Sequence, residues 1–304
     1  MNKLGDLDKT VEWEIRDISK WQTTNIDFVG LKKSGVKGVI IRINNADTAM
    51  TKDPCFEWFY AKATEAGLYV GAYWFTRATS LEYARMEAQT CINWLKNKQF
   101  DLPIYFDIEG NEQFDLGKNF CTELCKTWCG TLQNANFFVG IYCSTFWYTN
   151  YVAQSVRNQY ATWIADWNKT CSYTGQYGMW QTGTTRDKAI CSGNVYVDRD
   201  ICYVDYPTAI KNRKMNGYGL DVLDCCEVWK FGQATWGIYS LKRSLRIAYN
   251  KCLLETKVTD SMVYDDTLKK AVNELLEKWH YKVNSILGSN FVIKLYNELD
   301  KVVK

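Results

Sequence analysis

The sequence contains very little histidine and proline, and it has no long apolar segment. Its 304 residues include 3 Pro and a single His, His280. A Ser–His or Cys–His nucleophile pair, a histidine-rich zinc site and a histidine general base would all have to use that one side chain. No run of about 18 apolar residues occurs, so a transmembrane helix is not expected. If the chain is an enzyme, we therefore expect carboxylates to perform its acid–base chemistry.

The composition is typical of a globular protein, with 47% hydrophobic and 23% charged residues. A disordered chain is thereby excluded. Residues 1–17 are polar, so no signal peptide is expected, and the 12 Cys should then remain free thiols in a reducing cytosol. Cys121, Cys125 and Cys129 recur at every fourth residue, which predicts a buried stripe of one helix rather than a metal or redox site.

Short β-branched and aromatic runs alternate with amphipathic segments in the first two thirds of the chain. Strands are predicted at Trp13–Asp17, Gly38–Arg42, Leu68–Phe75, Pro103–Glu109, Phe137–Cys143, Ala161–Ala165, Gly178–Gln181 and Val195–Asp198. Helices are predicted at Ile26–Lys33, Asp53–Glu65, Leu81–Lys96, Leu116–Leu132 and Thr145–Val156. This alternation implies parallel strands with right-handed crossovers. The pattern predicts an α/β fold, a β/α barrel whose last three connections lack full helices.

Several changes near residue 210 predict a domain boundary. The strand-like runs end, residues 211–217 read as a polar linker, and helices are predicted at Ile238–Tyr249, Thr267–His280 and Ser289–Val303. Residues 1–210 contain 21 Lys and Arg against 23 Asp and Glu, whereas residues 211–304 contain 16 against 11. We predict a barrel over 1–210 and a small, mostly helical domain over 218–304. The positive charge of this C-terminal part indicates either an anionic partner or an ordinary solvated surface.

Four acids fall at the ends of predicted strands. Active sites of β/α barrels lie at the carboxyl ends of their strands, where we expect Asp17, Asp107, Glu109 and Asp198 to meet. The period of two places Asp107 and Glu109 on the same face. Repulsion between such acids raises at least one pKa, and a Glu with a raised pKa can donate a proton near neutral pH. A helix cap alone could explain Asp17, a turn could explain Asp198, and the Asp107–Glu109 spacing often occurs by chance, but the convergence of the four acids favours catalysis.

Aromatic residues collect at or just beyond the same predicted strand ends: Trp21, Tyr73, Trp74, Phe75, Tyr142, Trp147, Trp163, Trp167 and Trp180. Many of them must belong to the core. Carboxylates surrounded by Trp and Tyr are nevertheless typical of surfaces on which sugar rings stack. No Gly-rich loop or local basic cluster accompanies the acids, so phosphate substrates and nucleic acids are disfavoured. We expect neither a metal nor another cofactor.

Five segments together resemble, in order and spacing, the glycoside hydrolase family 25 lysozymes, which are N-acetylmuramidases: Asp17–Gln22, Gly38–Arg42, Ala66–Phe75, Phe106–Glu109 and Val197–Asp200. The resemblance spans about residues 12–207. It implies a flattened β/α barrel of eight strands and five helices. Two positions differ from the family, which usually has His where Trp74 stands and Asn where Asp200 stands.

The resemblance also implies roles for individual residues. Glu109 would be the general acid that protonates the glycosidic oxygen. Asp17, Asp107 and Asp198 would stabilise the oxocarbenium-like transition state or orient the N-acetyl group of the substrate. The residues that would lie beside or near the sugar are Tyr73, Tyr142, Trp163 and Gln181.

Beyond residue 218 the sequence loosely resembles a small helical peptidoglycan-binding domain. A muramidase with such a tail and no secretion signal resembles a bacteriophage endolysin, which leaves the host cytoplasm through a holin pore, or a virion-associated tail lysin. We therefore expect a hydrolase of bacterial peptidoglycan that cleaves the β-1,4 bond between N-acetylmuramic acid and N-acetylglucosamine, without membrane insertion. The alternatives are a catalytically silent wall-binding or structural protein and another glycosidase such as a chitinase, which the short acidic segment Phe106–Glu109 disfavours.

Overall fold

The computed structural model describes residues 8–48, 50–218, 228–285 and 287–302. The chain divides after Gly219 into two compact units, which are described separately below. The predicted helix end at Val303 lies outside the described residues. Within the described ranges, no helix is long and apolar enough to cross a membrane.

Eight strands close the first unit into a barrel, in the order in which they occur along the chain. They are β1 (Trp13–Ile18), β2 (Gly38–Arg42), β3 (Tyr69–Phe75), β4 (Ile104–Asp107), β5 (Val139–Ser144), β6 (Ala161–Ala165), β7 (Met179–Thr185) and β8 (Val197–Cys202). Neighbours from β1 to β7 are parallel. The prediction of an eight-stranded β/α barrel is confirmed.

The last strand runs against the others, because β8 is antiparallel to both β7 and β1. The prediction that all strands are parallel is therefore wrong for β8. A parallel crossover needs about a dozen residues or more, and only residues 186–196 connect β7 to β8. Asp198 was predicted to end its strand, but it lies near the beginning of β8. The reversal still brings it to the barrel end where β1–β7 finish.

The connections carry eight helices among the described residues of this unit. They are α1 (Phe28–Lys33), α2 (Phe56–Glu65), α3 (Leu81–Leu95), α4 (Asn111–Phe114), α5 (Gly117–Asn134), α6 (Thr145–Tyr151), α7 (Gln154–Arg157) and α8 (Tyr206–Asn212). The single helix predicted over 145–156 is in fact two, because the backbone is extended at Val152 and Ala153. The Ala153 N–H there donates to Thr122 Oγ1 at 3.0 Å instead of continuing a helix.

Alternate strand residues point into the barrel and towards the helices. The lower interior is apolar and aromatic, and it includes Ile15, Ile40, Tyr105, Trp163, Met179 and Cys202. The outward side chains pack under the helices in a second cluster, which contains the buried thiols of Cys121, Cys125 and Cys129 on α5. Those three cysteines therefore form the helical stripe that their spacing predicts.

Residues 211–217 do not form a free linker. Lys211 and Asn212 end α8, and Asn216 is fully buried. The Asn216 side chain accepts from the Phe138 N–H at 2.7 Å and donates to the Leu102 carbonyl at 3.0 Å. The segment is thus part of the barrel unit, because a polar side chain that completes buried backbone hydrogen bonds anchors it there.

This boundary changes the charge of the C-terminal part. The basic residues Lys211, Arg213 and Lys214 belong to the barrel unit. Residues 220–304 then contain 13 Lys and Arg against 11 Asp and Glu, a net charge of +2. The positive excess attributed to the tail therefore lies largely on the barrel.

The second unit contains α9 (Trp236–Asn250), α10 (Asp266–Lys278) and α11 (Ser289–Val302). Their apolar faces enclose a core of their own, including Leu241, Leu245, Leu268, Leu275, Phe291 and Leu295. Thr235 and Asp265 cap α9 and α10 by accepting from backbone N–H groups of the first turn. A small helical C-terminal region is therefore present, as the residue pattern predicts.

Candidate active site

Five carboxyl groups meet at the barrel end where β1–β7 finish. Asp17 lies on β1, Asp107 ends β4, Glu109 follows it by two residues, and Asp198 and Asp200 lie on β8. The pairing of β1 with β8 places Asp17 opposite Asp198. Four of these acids are predicted site residues. Asp200 is not among them, although the period of two from Asp198 brings it to the same face.

Burial raises the pKa of each of these carboxyl groups, and repulsion from neighbouring acids adds to the effect for Asp17, Asp107, Glu109 and Asp200. Burial, followed by the charges of Asp200 and Asp198, raises the pKa of Asp17 well above its usual range. Burial and then Glu109 have the same effect on the pKa of Asp107. Burial is also the main reason for the raised pKa values of Asp198 and Asp200. Such a cluster titrates as a coupled unit and retains protons at pH values where isolated Asp is ionised.

Glu109 is the most accessible of the five, since its side chain is exposed at the mouth of the barrel. Desolvation by the surrounding protein and then the negative charge of Asp198 raise its pKa, and Arg77 opposes them. Glu109 therefore keeps its proton to a higher pH than an ordinary glutamic acid. An acid of this kind that faces an open cleft is suited to donate a proton to a ligand.

A buried arginine supplies positive charge beside the acids. Arg42 ends β2, and its Nε and Nη2 donate to Oδ2 of Asp53 at 3.0 and 2.8 Å. Both side chains are buried. The guanidinium opposes the rise in the pKa of Asp107. Arg42 is not among the predicted site residues, although it also falls at the end of a predicted strand, Gly38–Arg42.

Gln181 on β7 fixes the orientation of Asp17. Its Nε2 donates to Asp17 Oδ2 at 2.9 Å. Its Oε1 accepts from the Tyr142 hydroxyl and from Trp167 Nε1, each at 3.0 Å. An indole N–H can only donate, so the amide oxygen must face Trp167 and the amide nitrogen must face Asp17. Of the two residues predicted near a ligand, Gln181 is thus joined to Asp17 directly, and Tyr142 is joined to it through Gln181.

Trp163 lies beneath the floor of the site. It is 1% exposed, and its ring is 4.5 Å from that of Tyr142 and 6.1 Å from that of Tyr73. Its Nε1 donates to Asp200 Oδ1 at 2.8 Å. The family resemblance implies that Trp163 lies beside a sugar, whereas the structure places it under the acids, because other aromatic rings cover it. Tyr73 is only half-buried and lies among the same acids.

A cleft of about 640 Å³ opens beside Glu109. Its walls include Phe146 and Trp167, which are 63% and 61% exposed. Asp166 holds the loop that carries Trp167, because its carboxylate accepts from the backbone N–H of Ser172 at 2.6 Å. Flat, exposed rings next to a proton-donating acid suit a sugar ligand. Phe146 was missed in the sequence, although it follows the end of β5 by only two residues.

Trp74, where the family usually has His, does not face this cleft. It alternates with Tyr73 along β3 and therefore points outwards, where it is fully buried. Its ring lies 5.4 Å from that of Trp94 on α3. The departure at Trp74 consequently concerns the packing of α3 rather than ligand contacts. Within the described ranges, no group of three or more His, Cys, Asp or Glu side chains is arranged to hold a metal ion.

The family model for glycosyl hydrolases family 25 matches residues 16–188. The match contains the site residues from Asp17 to Gln181, whereas Asp198 and Asp200 follow it along the chain. The chain belongs to glycosyl hydrolase family 25. This family 25 protein is a glycoside hydrolase of the lysozyme type, and hence a peptidoglycan hydrolase. A search among curated proteins gave no match.

Several solved structures share the fold of the family 25 barrel. The CTP1L endolysin is 22% identical, with 66% of this chain and 70% of that chain covered and a TM-score of 0.57. The catalytic domain of endolysin ply40 from bacteriophage P40 of Listeria monocytogenes is 23% identical, with coverages of 66% and 97% and a TM-score of 0.52. The modular autolysin LytC of Streptococcus pneumoniae, solved with a synthetic peptidoglycan ligand, is 19% identical, with coverages of 63% and 47% and a TM-score of 0.55. At these identities, the likeness shows the fold alone.

Proposed function

We propose that the barrel unit hydrolyses the β-1,4 bond between N-acetylmuramic acid and N-acetylglucosamine, with Glu109 as the general acid. The observation that carries this proposal is the position of Glu109, a carboxyl group with a raised pKa at the edge of an aromatic-walled cleft. Further carboxyl groups lie within electrostatic reach of it. Paired carboxylates around a sugar-binding cleft are the usual machinery of glycoside hydrolysis.

The reaction begins when Glu109 gives its proton to the glycosidic oxygen. The bond from that oxygen to the anomeric carbon breaks, and the leaving sugar departs as an alcohol. Positive charge develops on the remaining ring, where the ionised members of the group formed by Asp17, Asp107 and Asp198 stabilise it. A water molecule then adds to the anomeric carbon and gives up its proton to a carboxylate of the site. An alternative role for Asp17, Asp107 and Asp198 is to orient the N-acetyl group of the substrate rather than to stabilise the positive charge.

Neighbouring residues would bind the sugar beside the acids. Tyr142 and Gln181 both line the cleft and are held by the hydrogen bonds described above. Phe146 and Trp167 present broad ring faces on the same cleft. Tyr73 contributes a half-buried ring next to the acids. Together these groups provide both apolar faces and hydrogen-bonding groups, as a saccharide requires.

The products formed from purified cell walls test the reaction. Borohydride reduction followed by mass spectrometry identifies the sugar at each new reducing end. We expect reduced N-acetylmuramic acid, and no release from chitin. Reduced N-acetylglucosamine from walls would assign the other glycosidic bond, and release from chitin would indicate a chitinase. No release from either polymer would favour a catalytically silent wall-binding protein.

We also propose that the second unit attaches the enzyme to the bacterial wall. A cavity of about 720 Å³ in this unit is lined by residues that include Tyr281, Lys282, Phe291, Lys294 and Asn297. Aromatic rings, amides and ammonium groups suit the sugars and peptide carboxylates of peptidoglycan. The net charge of +2 adds only a weak attraction to an anionic wall.

For the biological setting, we propose a bacteriophage endolysin that reaches the wall from the host cytoplasm through a holin pore. The support is the similarity of the barrel to two endolysin structures. A virion-associated tail lysin is the alternative. Production of the chain in the cytoplasm of a susceptible bacterium tests the route, because we expect lysis only after a holin or chloroform permeabilises the membrane. Lysis without permeabilisation would contradict it.

A further inference from the structure

Asp200 is a fully buried carboxyl group that the proposed reaction does not use. It faces the barrel interior from β8 and has no exposed fraction. Its Oδ1 accepts a hydrogen bond from Trp163 Nε1 at 2.8 Å. Among the residues that the structure describes, no donor reaches its buried Oδ2. An ionised carboxylate with an unsatisfied oxygen in this position is costly, so a proton on or near Oδ2 is favoured.

Asp17 next to it is constrained in a complementary way. Its Oδ2 accepts from Gln181 Nε2 at 2.9 Å, and the bond from Trp167 to Gln181 prevents the amide from turning round. That oxygen of Asp17 is therefore an acceptor and does not carry a proton. Asp200 lies on the same face of β8 as Asp198, the register partner of Asp17. The carboxyl groups of Asp17 and Asp200 are therefore neighbours, and a hydrogen bond between them acts on the pKa of Asp200. Such a bond between two carboxyl groups requires one proton between them.

We propose that Asp17 and Asp200 share one proton through their remaining oxygens and act as a single pair with one negative charge. One oxygen of each group is held by an N–H group, which can only donate, so a shared proton satisfies both of the others. Asp198 also lies near Asp17, but it is half-buried and open to water. Asp200 has no access to water, so it retains a proton more readily than Asp198 does. Its role is to position Asp17 and to limit its charge.

Charged and titratable groups face the pair from several strands of the barrel. They are Arg16 on β1, Tyr73 on β3, Tyr105 and Asp107 on β4, Tyr142 on β5, and Asp198 and Cys202 on β8. Burial raises the pKa of Cys202 to about 12 and the pKa values of the three tyrosines well above their usual range, so all four are neutral at pH 7. Asp107 and Asp198 repel a second negative charge on the pair. The charge of Arg16 lowers the pKa of Asp200, but its guanidinium is paired with Glu14 and Asp187.

The substitution Asp200→Asn tests the shared proton without relying on activity. The amide oxygen can accept from Trp163, and the amide nitrogen can donate to Asp17, so the bonding pattern survives without a titrating proton. Infrared spectra of protein with ¹³C-labelled aspartate should show a protonated-carboxyl band for the wild type at pH 7. Asp200→Asn should lose part of that band. An unchanged band would overturn the proposal.

Stability against pH provides an independent measurement. The pair has a raised pKa when folded, so wild-type stability falls as pH rises from about 4 through that pKa, and Asp200→Asn escapes this loss. The Tm of Asp200→Asn at pH 7 should therefore exceed that of the wild type. The difference should disappear near pH 4.

Asp200→Leu is the matched variant, because it has a similar size but cannot donate to Asp17. Asp17 should then hold the proton itself, so this variant should keep the pH-dependent loss of Tm that Asp200→Asn lacks. Equal pH dependence in the wild type and Asp200→Asn would overturn the proposal. If Asp200→Asn does not fold, the wild-type band still decides: it should titrate well above the range of ordinary Asp, and titration near pH 4 would refute a shared proton. Neither measurement depends on the proposed reaction.

Discussion

Asp17 and Asp198 are register partners across the antiparallel pair of β1 and β8. Glu109 follows β4, four strands away from β8 around the closed barrel. Acids therefore approach the mouth from opposite sides. A sugar chain that crosses the mouth between them would meet the proton donor on one side and stabilising carboxylates on the other, as general acid catalysis of glycoside hydrolysis requires.

Glu109→Gln should abolish most wall lysis while the fold remains intact. Protonation of the leaving oxygen typically contributes about 10²–10⁴ in rate, and the amide cannot supply that proton. Release of reducing ends from purified walls measures the loss, and the Tm checks the fold. Glu123→Gln makes the same change on the outer helix α5, where Glu123 pairs with Lys126, and should keep wild-type activity. Full activity of Glu109→Gln would remove Glu109 from the acid role.

The position of the acids was largely predictable from the sequence. The end of β4 and the period of two brought Asp107 and Glu109 to one place, and both lie in the observed cluster. The predicted end of the first strand likewise placed Asp17 in this cluster. For Asp198, the predicted location was right although the strand direction was wrong. A strand that starts at the mouth and one that ends there place their polar residues at the same edge.

Other features depend on contacts between distant residues, which no local pattern reports. Trp163 is an inward-facing aromatic residue, and it is buried beneath the site because the rings of Tyr73, Tyr105 and Tyr142 pack against it. Residues 211–217 are polar and contain glycine, as a linker would. Their attachment to the barrel depends on Asn216 reaching backbone groups of two distant segments.

Two substitutions at Trp167 should separate its stacking surface from its hydrogen bond. Trp167→Ala removes a ring that is 61% exposed on the cleft, and the lost contact of about 0.5–1.5 kcal/mol should raise KM roughly 2–10-fold. Trp167→Phe keeps a ring but loses the bond to Gln181, so it should lower kcat more than it raises KM. Steady-state kinetics on soluble peptidoglycan fragments distinguish these effects. A wild-type KM for Trp167→Ala would exclude stacking on this ring.

Glu87→Gln should make the protein more stable at alkaline pH but not at acidic pH. Burial raises the pKa of Glu87 from 4.5 to about 7, although Thr76 and the Arg77 N–H donate to it. Because the folded pKa is the higher one, the wild type loses stability as pH rises from about 4.5 to 7, and Gln does not. Urea unfolding should show a gain of roughly 1–3 kcal/mol at pH 8 and none at pH 4. An equal effect at both pH values would contradict this account.

The buried Lys242 predicts a large cost for Asp265→Ala in the second unit. The Lys242 ammonium has no exposed fraction and donates to Asp265, Thr259 and Ser261. Asp265 also caps α10. Its removal leaves a buried charge unpaired and should destabilise this unit by about 3–5 kcal/mol. Asp260→Ala is the matched control, since its pair with Arg246 lies at the surface and should contribute at most about 1 kcal/mol. Similar losses of unfolding free energy for Asp265→Ala and Asp260→Ala, measured by denaturant unfolding, would contradict this account.

Removal of the second unit should slow attack on whole walls without slowing the chemistry. Residues 1–219 contain the complete barrel and its acids, and each unit has its own core. We therefore expect the 1–219 fragment to cleave soluble muropeptide chains at the rate of the full chain and to lyse intact walls more slowly. The physical reason is that attachment raises the enzyme concentration at an insoluble substrate, and the 1–219 fragment has lost that attachment.

A salt series shows how much of that attachment is electrostatic. Charge attraction weakens as the Debye length falls to about 8 Å at physiological ionic strength and about 3 Å at 1 M salt. With a net charge of only +2 on residues 220–304, most of the advantage of the full chain should persist at high salt. Complete loss of that advantage in salt would instead indicate a charged surface, because contacts in the cavity lined by Tyr281 and Phe291 are largely unscreened. If the 1–219 fragment lyses walls as fast as the full chain at every salt concentration, the second unit does not target the enzyme, and a role in assembly explains it better.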